Sequence, residues 1–271
     1  MKSIKEAYRR FLNTDYGTSL YNAFKLILYG TEDSLVQTLN NNLLQNLLLI
    51  QKDCLDVCDI GGGDGGRITH IMKFLHSKFD VLFRLDFIEQ SQQYVEAFDT
   101  KQIAPFCETT LFHALFEDFT APKHYDLVFL IHSIFAFDNG GDIEKVLSMP
   151  GTDGKILIVS NAPRSFLGGL KLLVDEGYGD RRYEIDDLQR DLEKRKIAFD
   201  KIEFQTKWVI DMIRYERDIQ TVLEWISLGT YSAFTAEKMK LINQYISDKT
   251  VQKGNRTFFT EDEVVLVIPP I

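Results

Sequence analysis

The chain has 271 residues, 45% of them hydrophobic and 26% charged, which suits one large α/β domain with a buried core. Its formal net charge of −9 disfavours a nucleic-acid partner, because backbone phosphates would need a local basic patch against the overall field. The three cysteines lack CxxC spacing, no apolar run approaches the roughly 20 residues of a membrane helix, and the charged N-terminus is unlike a signal peptide. We therefore expect a reduced cytoplasmic protein without a metal or a membrane partner, its oligomeric state left open.

Helical periodicity covers much of residues 4–50 and includes a leucine-rich segment at 39–50. From Cys54 onward, apolar runs of strand length alternate with helical patterns. Strands are predicted at 54–60, 79–85, 109–114, 125–132, 155–160, 199–209 and 263–268. Helices are predicted at 67–77, 91–98, 142–149, 166–176, 185–195, 221–228 and 236–247, with a turn at 151–154.

This order of elements predicts an α/β fold with a doubly wound, mostly parallel, seven-stranded sheet. Helices precede the sheet, and a helical insertion lies before its last strand. We expect one domain, in which residues 1–50 form a helical cap, 54–160 a cofactor-binding core, and 161–271 the other half of the sheet with the insertion.

Five glycines occupy the six positions from Gly61 to Gly66, between a predicted strand and a predicted helix. Glycine permits positive φ angles and close backbone approach, so this loop indicates a ligand pressed against the main chain, with a tight turn as the alternative. The spacing also fits the dinucleotide fingerprint, which keeps a nicotinamide-dependent enzyme open. Asp59 and Asp64 favour the zwitterionic tail of S-adenosylmethionine, held with the loop amides, over a doubly charged pyrophosphate. The predicted contacts here are Asp59, Gly61, Gly62 and Gly63.

Acidic residues follow the next two strands. Asp86 and Glu89 are both placed to bind the ribose hydroxyls, and we prefer Glu89, with capping of the next helix as the alternative. Gln90 is included with Glu89 as a cofactor contact. Glu117 and Asp118 follow the third strand, where they can hydrogen-bond the adenine or form a surface turn.

The fourth strand ends at His132. Ligands of open α/β sheets lie at the carboxyl ends of strands, so His132, Phe135 and Asp138 are expected near the transferred methyl group. We take His132 and Asp138 as catalytic candidates, with His132 either a general base or a packing and positioning residue, and we also expect His132 to contact the cofactor.

Several segments resemble the histamine N-methyltransferase family of class I methyltransferases. They are YRRFLN at 8–13, IGGG at 60–63, IEQS at 88–91, Ile131-His132 with Ile134, and Phe258-Phe259 before the last strand. The resemblance spans nearly the whole chain. It implies that Gly61 and Glu89 contact S-adenosylmethionine and that Ile134 lies over it.

The family's acceptor residues match less well. Its histamine-binding glutamate falls at Gly17, its paired tyrosines at Asp138 and Asn139, and its acceptor asparagine at Thr260. The resemblance therefore implies N-methylation of a small, polar, cationic acceptor other than histamine. Methylation of oxygen, carbon or a protein side chain, or cofactor binding without catalysis, remain alternatives. The predicted acceptor contacts are Tyr8, Phe11, Tyr16, Phe135, Asp138, Trp208, Thr260 and Glu261.

Overall fold

A computed structural model of the chain describes residues 4–27, 52–137, 141–175, 182–211 and 215–270. The predicted leucine-rich helix at 39–50 lies outside these residues, as do Asp138 and Asn139. The chain divides into two compact units. The first unit contains 1–31, 161–182 and 204–263, and the second contains 32–160, 183–203 and 264–271.

Among the described residues, the strands form one eight-stranded sheet in the order β3-β2-β1-β4-β5-β8-β6, with β7 paired to β8. They are β1 Cys54–Ile60, β2 Leu82–Glu89, β3 Cys107–His113, β4 Tyr125–Ile131, β5 Pro150–Asn161, β6 Asp200–Asp211, β7 Val251–Lys253 and β8 Arg256–Ile268. The pairs β1–β2, β2–β3, β1–β4 and β4–β5 are parallel, and β7–β8 is antiparallel. The prediction of a mostly parallel sheet is confirmed, but the predicted count of seven is wrong because it omits the short β7.

The helices of the described residues agree with the predicted ones to within a few residues, except that α8 begins six residues earlier. They are α1 Ile4–Leu12, α2 Asp15–Ile27, α3 Gly66–Phe79, α4 Gln92–Ala97, α5 Gly141–Leu147, α6 Phe166–Asp175, α7 Ile185–Lys194, α8 Tyr215–Ile226 and α9 Ala236–Lys249. Short 3₁₀ turns lie at Thr100–Gln102, Ile134–Ala136 and Tyr231–Ala233.

The strands β1 and β4 form the centre of the second unit. All seven residues of β4 are buried, as expected for a parallel strand covered on both faces. The chain leaves β1 for β2 on one side of it, and β4 pairs with its other side. The strand order therefore reverses between β1 and β4, and such a switch point opens a crevice at the carboxyl ends of the two strands.

Two local predictions are wrong for physical reasons. The second strand begins at Leu82 rather than at 79, because α3 continues through Phe79 and ends where Asp80 takes a left-handed conformation with its N–H bonded to the His76 carbonyl. The turn predicted at 151–154 lies inside β5. Its residues accommodate a register shift, since Tyr125 pairs with Pro150 while Leu127 pairs with Lys155.

Three further observations concern the described residues as a whole. The Cys58 side chain is fully buried within β1, where it packs as a small apolar residue. None of the helices described has the length and apolar character to cross a membrane. In the same residues, no group of three or more His, Cys, Asp or Glu side chains is arranged to hold a metal ion.

Candidate functional site

The loop after β1 depends on glycine for both conformation and space. Gly61 and Gly65 have φ angles of 68° and 75°, in the left-handed region that other residues rarely adopt. A Cβ atom on Gly61 would lie 2.6 Å from the Ser133 Cβ, and one on Gly65 would lie 2.3 Å from the Phe98 ring. The loop is therefore pressed between the segment that follows β4 and a side chain beyond α4.

Gly62 is required for space alone. A Cβ atom there would lie 2.1 Å from Cε2 of Phe87 in β2 and 2.4 Å from Oδ2 of Asp59. Both distances are shorter than real Cβ contacts, so no side chain fits without displacing β2 or the Asp59 carboxylate. Part of the requirement for glycine therefore comes from packing, although the sequence alone suggests a bound ligand as its cause.

The amides of the loop bond largely within the chain. Gly61 N and Gly62 N both donate to the Ile88 carbonyl, at 2.8 and 3.4 Å. Gly63 N donates to Glu89 Oε2 at 2.9 Å, Gly65 N to the Gly62 carbonyl at 3.2 Å, and Gly66 N to Asp64 Oδ1 at 3.2 Å. Five of the six N–H groups of the loop therefore already have acceptors within the chain, and the contact of these amides with the cofactor tail stays a prediction.

Asp59 lies in β1, directly before the glycine loop. It is 2% exposed, and its Oδ1 has no hydrogen-bond partner among the described residues. Burial and the charge of Glu89 raise the pKa of Asp59 to about 7, against the opposing effect of Arg67. A buried carboxylate oxygen without a donor is costly, and an ammonium group would satisfy it.

Glu89 ends β2 beside the same loop. Its Oε2 accepts from Gly63 N at 2.9 Å and its Oε1 from Ser91 N at 2.8 Å, so the carboxylate joins the loop after β1 to the start of α4. Burial raises the pKa of Glu89 to about 7, although the hydrogen bonds from Ser91 and Gly63 oppose the rise. Gln90, the next residue, is half-buried.

Asp86, the other candidate for the ribose, faces a different environment. Its Oδ2 accepts from the Tyr125 hydroxyl at 2.8 Å and lies 3.5 Å from Lys123 Nζ. Asp86 therefore belongs to a polar network within the sheet, and Glu89 is the acid at the carboxyl end of β2.

The segment after β3 forms a short turn whose first amide, Ala114 N, donates to the Glu89 carbonyl at 3.1 Å. Glu117 and Asp118 are exposed on this turn, and Phe116 is buried beneath it. Lys145, a residue that the sequence analysis did not select, donates to the carbonyls of Phe116 and Glu117. Its position in α5 gives no signal of this contact, because the partner lies nearly 30 residues away.

The segment after β4 begins with an unusual backbone. His132 has a φ of 55°, which is uncommon outside glycine and is held by its N–H bond to the Val159 carbonyl at 2.8 Å. The next residue, Ser133, was missed from sequence. Its hydroxyl donates to the Ile60 carbonyl at 2.7 Å and so ties the carboxyl ends of β1 and β4 together.

The two neighbouring candidates after β4 differ in exposure. Phe135 is half-buried, and its place near the transferred methyl group stays a prediction. Ile134 is fully buried in the 3₁₀ turn, and its position over the cofactor stays a prediction. The structure thus brings Asp59, Gly61, Glu89 and His132 to one edge of the second unit.

The remaining acceptor candidates belong to the first unit. The Tyr8 and Phe11 rings pack on Trp225 of α8, with centroids 6.3 and 5.7 Å away. Tyr16 is exposed, and its hydroxyl donates to the Glu224 carboxylate. These rings stabilise the contact of α1 and α2 with α8. Trp208 lies in β6, and its side chain is not among those that the structure describes.

Glu261 has a structural role in the same unit, whereas its neighbour Thr260 is exposed. The fully buried Glu261 carboxylate accepts from the Ser165 hydroxyl and, at 2.9 Å, from Leu167 N at the start of α6. Burial raises the pKa of Glu261 to about 8, against these hydrogen bonds. Both carboxylate oxygens are thus engaged by the N-terminus of a helix, and contact with an acceptor would require that cap to open.

No protein-family model matches the sequence, and no curated protein matches it. Solved structures do share the fold. Phosphoethanolamine N-methyltransferase 2 of Haemonchus contortus, solved with phosphomonomethylethanolamine and S-adenosylhomocysteine, is 16% identical over 97% of this chain and 60% of its own, with a TM-score of 0.55. The plantazolicin methyltransferase BamL, solved with a triazolic desmethylPZN analogue and S-adenosylhomocysteine, is 11% identical over 98% of both chains, with a TM-score of 0.53. The YcgJ protein of Bacillus subtilis is 16% identical over 86% of this chain and 99% of its own, with a TM-score of 0.53.

These similarities establish the Rossmann-like fold of class I methyltransferases for this chain. None of the three proteins is a histamine N-methyltransferase, so the resemblance to that family stays a prediction. Two of them were solved with S-adenosylhomocysteine, and their second bound compounds differ in chemistry. The fold therefore does not specify an acceptor.

Proposed function

We propose that the protein is an S-adenosylmethionine-dependent methyltransferase that binds its cofactor at the carboxyl ends of β1 and β2. The observation that carries the proposal is the Asp59 carboxylate, which is almost fully buried at the glycine loop and has an oxygen without a donor. The cofactor's ammonium group would supply that donor, and its ribose would lie at Glu89. The cofactor supplies the reactive methyl group when bound, and the protein aligns it and excludes water.

The hydrogen bonds of the loop disfavour a dinucleotide. Pyrophosphate binds to N–H groups that point out of a glycine loop and a helix N-terminus. Here five of the loop's N–H groups have acceptors within the chain, and the Asp64 carboxylate accepts from Gly66 at the start of α3. A doubly negative ligand would therefore meet two carboxylates, Asp59 and Asp64, and few donors. This arrangement suits a ligand with a positive charge.

For the acceptor we propose a small, polar amine, on the strength of the family resemblance and of the fold shared with an N-methyltransferase. An amine must be neutral to attack the methyl group, so a base or a desolvating pocket has to remove its proton. His132 is our candidate for that contact, because its left-handed backbone holds it at the end of β4. His132 would act there as a general base or as a positioning residue.

The cofactor assignment is tested by ligand-induced stabilisation. S-adenosylhomocysteine should raise the melting temperature and NAD should not, because only a ligand bound to the folded state stabilises it. The methyl acceptor is then sought by measuring release of S-adenosylhomocysteine with panels of amines, alcohols, carbon acceptors and proteins. Stabilisation by NAD alone would overturn the proposal, and cofactor binding without turnover on any panel would leave a binding protein.

Binding of the cofactor should depend on pH. The pKa values of Asp59 and Glu89 are both raised to about 7 in the free protein, so these carboxylates are largely protonated at pH 6. An ammonium and two ribose hydroxyls favour the charged forms, so binding releases protons and weakens as pH falls through 7. We expect affinity for S-adenosylhomocysteine to be about tenfold lower at pH 6 than at pH 8 for each proton released. Calorimetry at both pH values measures this, and a flat profile in wild type would contradict it. Asp59→Asn should remove the contribution of one proton and leave the pH dependence that comes from Glu89.

A further inference from the structure

Lys145 connects α5 to the turn that follows β3. Its Nζ donates to the Phe116 carbonyl and, at 2.9 Å, to the Glu117 carbonyl, and it lies 4.7 Å from the centroid of the Phe116 ring. The same ring stacks on Phe137 with centroids 5.2 Å apart and planes 5° apart. The Lys145 ammonium group therefore links α5 to the turn through two consecutive carbonyls and the Phe116 ring.

The pairing of this ammonium is uncommon. A partly buried lysine usually faces a carboxylate, but Lys145 donates to two neutral carbonyls, and the charges of Asp142 and Asp118 favour its charged form. Burial lowers the pKa of Lys145. Desolvation of the ammonium is costly, and the two hydrogen bonds to carbonyls offset that cost while fixing the turn.

The fixed carbonyls determine where the turn directs its other groups. A peptide unit is planar, so a carbonyl pointing at Lys145 turns the following N–H away from it. The N–H of Glu117 and the exposed side chains of Glu117 and Asp118 project from a backbone held in this way. Adenine carries an exocyclic amine, which donates, beside a ring nitrogen, which accepts. Recognition of that edge requires an acceptor and a donor of the protein at fixed positions relative to each other.

We propose that Lys145 is a positioning residue for adenine recognition, which orients the turn at 116–118 from the outside without contacting the cofactor. The inference rests on the proposed function, since it assumes that the adenine lies at this turn. Loss of the ammonium would let the two carbonyls turn toward water. The turn would then lose the fixed orientation of its donor and acceptor groups relative to the adenine.

The test compares two ligands in three variants. S-adenosylhomocysteine carries the exocyclic amine, whereas S-inosylhomocysteine has an oxygen in its place and the same ribose and amino-acid tail. Lys145→Met keeps the stem over the Phe116 ring and removes the donors, and Lys145→Arg keeps donors. Glu144→Gln is the matched control, because it breaks an exposed ion pair of α5 with Arg195 and leaves the turn alone.

Calorimetry should show that wild type prefers S-adenosylhomocysteine and that Lys145→Met binds it about tenfold more weakly, on the scale of one charge-assisted hydrogen bond. Affinity for S-inosylhomocysteine should change little, so the preference collapses. Glu144→Gln should keep the preference, and Lys145→Arg should retain most of it. An equal loss for both ligands in Lys145→Met, or no loss, overturns the inference while leaving the proposed function intact. Failure of wild type to bind either ligand overturns both.

Discussion

Replacing Gly62 with alanine should destabilise the protein by about 3 kcal/mol and abolish cofactor binding, an effect at the upper end for overpacking. The new Cβ would lie 2.1 Å from the Phe87 ring and 2.4 Å from the Asp59 carboxylate. Phe87 is fully buried in β2, so neither neighbour has free space to move into. Urea unfolding measures the stability and calorimetry with S-adenosylhomocysteine the affinity.

The matched control for this substitution is Gly151→Ala in β5. The nearest atom to a Cβ there is 3.7 Å away, an ordinary contact, so stability should stay within about 0.5 kcal/mol of wild type. A Gly62→Ala variant as stable as Gly151→Ala, with wild-type affinity, would mean that the loop lies elsewhere.

Replacing Glu89 with alanine should lower affinity for S-adenosylhomocysteine about a hundredfold, since hydrogen bonds to a charged group contribute roughly 1.5–3 kcal/mol each. The carboxylate also accepts from Gly63 N in the loop and from Ser91 N at the start of α4, so its loss leaves both N–H groups without that acceptor. We expect a fall in the free energy of unfolding of about 2 kcal/mol for the same reason. Calorimetry and urea unfolding measure the two effects separately.

Asp86→Asn is the control for Glu89→Ala, because Asp86 is a buried carboxylate on the same strand. Its amide can still accept from the Tyr125 hydroxyl, and it lies away from the glycine loop. Cofactor affinity of this variant should match wild type. Equal damage to binding from both variants would show that any change in β2 impairs the site, and would remove the case for Glu89.

Local patterns were sufficient to predict most of the fold. The apolar run of β4 and the strand that ends in glycines were both found at their predicted positions, because each carries its signal within a few residues. The predicted boundaries between consecutive helices and strands were less accurate. Phe79 fits a strand pattern but belongs to α3, and residues 151–154 form a bulge that exists only through pairing with β4.

Contacts between distant residues could not be predicted in this way. Gly62 and Gly65 have the residue type expected of a ligand loop, yet Phe87 and Phe98 explain part of the requirement for glycine. Glu261 has the chemistry of an acceptor ligand, yet it accepts from a helix that lies more than 90 residues earlier in the chain. Such assignments need the tertiary structure, because one residue type serves a site and a core equally well.

The predicted acceptor contacts also depended on residue type. The aromatic residues near the N-terminus have a composition that suits a cationic ligand, but Phe11 and Phe24 pack on Trp225 within the first unit. Aromatic rings bury large areas. A ring at helical spacing is therefore interpreted as a core residue unless a cavity lies beside it. The acceptor is accordingly to be identified by turnover.

A crystal structure with S-adenosylhomocysteine tests the central claim most directly. The ribose should lie at Glu89 and the ammonium group within hydrogen-bond distance of Asp59 Oδ1, with the tail along Gly61. A ligand bound elsewhere, or an Asp59 oxygen still without a donor in the complex, would contradict this placement and every role derived from it.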